Sequence, residues 1–89
     1  MFRAMFAALP LAIQRKARVK FLLFREDSLH PLLHHHALTD GGRGQHRPGS
    51  RSVWINREYR AIYVIEGGIN VWYWVGSHSA YNVFTGSNS

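Results

Sequence analysis

Between Arg51 and Tyr81 the chain gathers Arg51, Trp54, Arg60, His78 and Tyr81, with His46 and Arg47 just upstream. These side chains suit work on a phosphodiester. Cutting RNA without a metal requires three things. The ribose 2′-hydroxyl must lose its proton, the charge on the pentavalent phosphorus must be held, and the departing 5′-oxygen must gain a proton. An arginine stays charged and offers planar, paired donors to phosphate, which favours Arg60, with Arg51 and Arg47 as supporting cations. A histidine that titrates near pH 6.5 gives or takes a proton at neutral pH, which favours His78 and, second, His46. Tyr81 can act as a base only if neighbouring cations lower its pKa from about 10. Trp54, Trp72 and Trp74 offer rings on which unpaired bases could stack. Strand alternation expects Trp72 and Trp74 on one face.

Each residue also has an ordinary use. Arg60 could span the sheet edge and pair with Glu58 or Glu66, His78 could be a loop histidine, and Tyr81 and the tryptophans could be core. The run His34-His35-His36 could put two imidazoles on one face of an extended chain, but no cysteine or paired carboxylate completes a metal site. No cofactor is expected.

These groups need a scaffold, and the chain provides a small one. With 89 residues it reads as one domain over residues 1–89, burying roughly 60–65% of its unfolded surface. Lys and Arg number 11 against five acids, for a net charge of +6, and every basic residue lies between Arg3 and Arg60. Nucleic acid is therefore the leading partner class. The chain has no cysteine, which suits a reducing cytosol, and a cytoplasmic location is expected. Pro10, Gln14 and the cluster from Arg15 to Lys20 interrupt the one candidate apolar run, which falls short of the roughly 18 residues of a membrane span.

The elements follow from spacing. Phe2 to Ala8 predicts a short helix, and Pro10 sits where a second begins. In that second helix Ile13, Ala17, Phe21 and Phe24 form an apolar stripe, with Gln14, Arg15, Arg18 and Arg25 facing away and Lys20 beside it. Glu26-Asp27-Ser28 ends it. His30-Pro31 forces an extended segment, so that Leu32 to Leu38 predicts an irregular strand. Thr39 to Ser50 reads as a polar loop carrying Gly41, Gly42, Arg43, His46 and Arg47. Ser52 to Ile55, Tyr59 to Glu66 and Ile69 to Val75 predict strands, joined by Asn56-Arg57-Glu58 and by Gly67-Gly68. The fold class is α+β: an N-terminal helical hairpin on a three- to four-stranded antiparallel sheet. Both sheet faces carry large apolar groups, so neither is fully wet.

The pattern resembles the RelE/ParE superfamily of type II toxin-antitoxin toxins, in its RelE-like and HigB-like branch. The likeness rests on Ala8-Leu9-Pro10, His30-Pro31-Leu32-Leu33, Ser-Val-x-Ile at Ser52 to Ile55, Tyr59-Arg60-Ala61, and Trp74-Val-Gly-Ser-His78-Ser-Ala-Tyr81. It implies a ribosome-associated endoribonuclease that cleaves mRNA, held in check by a cognate antitoxin, with a homo-oligomer or a hetero-oligomer with that antitoxin as the expected assembly. Residue by residue, it places Arg60 at the scissile phosphate, and His78 and Tyr81 near the reacting groups. Ser52 and Trp54 stand where RelE-like enzymes carry lysines, and Phe84 where many carry a tyrosine. Those differences keep a second reading open, a non-catalytic protein of the same fold, either a ParE-like DNA gyrase inhibitor or a degenerate toxin acting by binding.

Overall fold

The computed structural model describes residues 2–39 and 44–86. Gly41, Gly42 and Arg43 of the polar loop lie outside them. Helix α1 (Phe2–Ala7) turns into α2 (Leu11–Glu26) through Pro10. Pro10 serves as the N-cap, in an extended conformation. Gln14 does not face away: its amide bonds back to Leu9 O at 2.9 Å and Ala7 O at 3.3 Å, tying the corner between the helices. The apolar stripe behaves as the spacing predicts, with Ala17 and Phe24 buried and Ile13 and Phe21 packed beside them. Lys20 donates to Leu32 O at 3.2 Å.

Past Asp27 the chain differs from expectation. Pro31 has no N–H to give a strand, and residues Pro31–Leu33 form a 3-10 turn that ends at His34, whose φ is +45°. Strand β1 is thereby cut to His36–Ala37. It pairs with β2 (Arg51–Trp54), β2 with β3 (Tyr59–Glu66), and β3 with β4 (Ile69–Ser77), all antiparallel and in chain order. Asn56 Oδ1 accepts from the N–H of Glu58 at 2.9 Å and of Tyr59 at 3.0 Å, which fixes the β2–β3 turn. Gly67 and Gly68 have φ of +57° and +79°, the geometry that a two-residue hairpin demands and that glycine adopts without steric cost.

Two features of the sheet were not expected. Ile62 pairs with Trp74 and Tyr63 with Trp72, so Tyr73 is an extra residue in β4. Such a bulge resets the alternation downstream. Trp72 therefore packs with Phe21, Phe24 and Tyr63 under the helices, while Trp74 joins Ile62 and Tyr81 on the opposite face. The tryptophans do not share a surface. The second feature is helix α3 (His78–Thr85), whose Tyr81 packs on Ile62 and Trp74, away from the cluster that buries Ala17 and Phe24 of α2. Ser77 Oγ caps it by accepting from Ala80 N–H at 3.2 Å, an interaction worth about 0.5–2 kcal/mol. Gly86, at φ +72°, ends it. Among the described residues no helix is long and apolar enough to cross a membrane.

Candidate functional site

Arg60 is the second residue of β3, directly between Trp54 of β2 and Gly76 of β4. Its position in the middle of the sheet leaves it only 5% exposed. Nη1 donates to the carbonyls of Asn56, Arg57 and Tyr59 at 2.8, 3.0 and 3.2 Å. The guanidinium carbon lies 4.1 Å from the centre of the Trp54 ring and 6.0 Å from that of Tyr81. Burial pulls its pKa down, and Tyr81 opposes that pull, but an arginine stays charged.

Two things set this cation apart. Among the described residues no carboxylate pairs with it, since the one ion pair they form joins Arg47 to Glu66. All of its hydrogen bonds among the described residues leave from Nη1, so the Nε and Nη2 edge, the fork that grips a phosphate in two places, has no partner there. Buried charge without a counter-ion is costly, and a group perturbed by burial in this way is a candidate for a functional site.

Around Arg60 the sheet assembles the other groups in cross-strand rows. His34, just before β1, stacks on Trp54 with centroids 3.7 Å apart and planes 20° from parallel. Arg60 comes from the opposite side, so both faces of the Trp54 indole are taken. The ring offers an edge but no free platform for a base. In the adjoining row His36 faces Ser52, which faces Ile62. Ser52 Oγ is fully buried and has no hydrogen-bond partner among the described residues. From above, α3 lowers Tyr81 onto Ile62 and Trp74, and its hydroxyl lies 3.3 Å from His36 Nε2. His78 opens α3, with its N–H donating to Glu58 O at 2.6 Å. Its ring lies 6.5 Å from that of Tyr81, 27° from parallel. Gly76 is required here, since a Cβ at that position would lie 2.9 Å from the Trp74 ring.

The structure thus brings together Arg60, Trp54, Tyr81 and His78, but not the other expected residues. Arg51 pairs across from Tyr63 and lines a groove of about 1050 Å³ on the helix side, with Phe24, His35 and Trp72. Arg47 pairs with Glu66 and lies over Tyr73, whose hydroxyl also meets Arg47 N–H at 3.0 Å and Ser50 Oγ at 2.5 Å. Glu66 is six residues along β3 from Arg60, about 20 Å at strand rise. His46 is engaged with Thr39 O at 2.8 Å. Nor does Arg60 use either acid expected of it.

His34 and His36 are the additions. Their spacing of two was visible as a same-face pair in an extended chain, but only the β1–β2 pairing joins them to Trp54 and Ser52. Among the described residues no group of three metal-ligating side chains forms. Beside the Trp54 and His34 stack lies a groove of about 520 Å³, rimmed by Arg15, Lys16, Lys20 and Arg57 over Val19 and Leu32. A phosphate seated on Arg60 would have the Tyr81 phenol and its neighbouring imidazoles at its side. Comparisons with models of known protein families, with curated proteins and with solved structures returned no match.

Proposed function

We propose that this protein is a toxin of a type II toxin-antitoxin pair that cleaves mRNA at the ribosome by attack of a ribose 2′-hydroxyl, in the cytoplasm and without a cofactor. One observation carries the reading: Arg60, a buried cation with no carboxylate and with its Nε and Nη2 donors unused among the described residues. In this role Arg60 holds the scissile phosphate and the charge that grows on it. Removing one donor of that kind typically lowers the rate on the order of 10² to 10³. Tyr81 and His78 handle protons on either side, and the basic rim from Arg15 to Lys20 with Arg57 meets the neighbouring phosphates. An acidic antitoxin is the matching protein partner, because it neutralises the same +6 charge.

A second reading, a non-catalytic protein of the same fold that binds gyrase or RNA, is favoured by Trp54. Its stack with His34 and Arg60 fills the place of a free cation. Expression of wild type and Arg60→Ala in bacteria separates the two. Growth arrest with new mRNA 5′ ends inside translated frames, absent in the variant, is the expected result. Arrest without new ends points to the second reading.

A further inference from the structure

We infer that His36 is the proton acceptor of Tyr81, and that a backbone carbonyl fixes it in that role. The inference rests on the proposed ribonuclease reading for its chemistry but not for its geometry. His36 Nδ1 lies 3.0 Å from the carbonyl oxygen of His34. A carbonyl only accepts, so in the neutral ring the proton sits on Nδ1, and Nε2 carries the lone pair. That lone pair lies 3.3 Å from Tyr81 Oη, so the phenol donates and the imidazole accepts. Contacts of this kind are often long before substrate arrives and tighten when it is bound.

The surroundings favour the transfer. Tyr81 is 6% exposed, with the Arg60 guanidinium 6.0 Å from its ring centre. His36 itself is exposed, which lets it return its proton to water. The charged and titratable groups around the pair are His34 and His35 in its own segment, Arg51 on β2, Arg60 on β3, and His78 on α3.

The step balances. The Tyr81 proton moves to His36 Nε2, and the phenolate takes the ribose 2′-proton. O2′ then bonds to phosphorus as the bond to O5′ breaks, and that oxygen takes a proton from the His78 imidazolium. The site ends with His36 charged and His78 neutral, and exchange with water resets both.

Imidazole nitrogen NMR of the full chain tests the pair, with Tyr81→Phe and His36→Gln beside wild type. In its neutral form His36 should show the Nδ1–H tautomer, and Tyr81→Phe should move its Nε2 resonance, because the lone pair loses its donor. His36→Gln should keep the fold and the binding of a short RNA while losing the acidic limb of the pH profile of cleavage. The Nε2–H tautomer, or an unmoved His36 Nε2 resonance in Tyr81→Phe, overturns the inference. Cleavage by His36→Gln with an unaltered pH profile also overturns it while leaving the ribonuclease reading in place. The expected tautomer and Nε2 resonance change in a protein that cuts no RNA would uphold the pair and defeat that reading.

Discussion

Replacing Arg60 with methionine keeps the length and apolar stem of the side chain and removes its charge, so it separates what Arg60 does for the fold from what it does for a phosphate. Two opposing effects set the stability change. Nη1 has two hydrogens to share among three carbonyls at 2.8–3.2 Å, and each bond from a charged donor is worth about 1.5–3 kcal/mol. The Trp54 contact at 4.1 Å adds about 1–2 kcal/mol. Against these stands the cost of taking most of the Arg60 side chain out of water with no carboxylate beside it, several kcal/mol in order of magnitude. The two effects nearly cancel. Arg60→Met should therefore change unfolding free energy by no more than about 2 kcal/mol, which for a domain of this size moves Tm by roughly 8–16 °C at most. The same variant should lose about 10² to 10³ in cleavage rate. Urea unfolding and an RNA cleavage time course, run on one preparation, measure both. A loss of more than about 4 kcal/mol would show that Arg60 is chiefly a tie for the β2–β3 turn. A folded variant with unchanged cleavage would refute its assignment to phosphate.

Other changes test the scaffold. Gly76→Ala places a methyl group 2.9 Å from the Trp74 ring and should destabilise by about 1–3 kcal/mol; thermal unfolding equal to wild type would contradict the packing of Trp74 over Gly76. His35 is held below its ordinary pKa by burial first, then by Arg51 and His36, while its Nε2 lies 2.7 Å from Tyr63 Oη. The folded state thus binds that proton less tightly than the unfolded chain. Its contribution to stability is full above about pH 6.5 and is lost as the pH falls. His35→Gln should flatten the fall in stability between about pH 7 and about pH 5. Equal slopes for the two proteins in denaturant titrations would show that another group dominates.

How much the sequence reveals depends on whether a signal is local. The α2 stripe, the Asn56 turn and the Gly67-Gly68 hairpin are written in adjacent residues, and each appears at its expected place. The bulge at Tyr73 leaves no such mark, because residues 71–75 are apolar on both faces and period-two alternation cannot be read there. Helix α3 is concealed for a different reason. Its eight residues include Asn, Val, Phe and Thr, all weak helix formers, and its stability comes from the Ser77 cap and from packing on Ile62 and Trp74. Arg60 stands out as a lone cation in an apolar strand, and so was legible. His36 was not, since its meeting with Tyr81 spans 45 positions of sequence and needs both β1 pairing and α3 to occur.

The central claim, that Arg60 holds a phosphodiester while a ribose hydroxyl attacks it, is tested most directly by the chemistry of the ends that the protein leaves. In a reconstituted translation reaction with a short mRNA, wild type should release fragments with 2′,3′-cyclic phosphate and 5′-hydroxyl ends, and Arg60→Met should release almost none. Fragments with 5′-phosphate ends, or an mRNA left intact by the folded wild-type protein, would contradict the account.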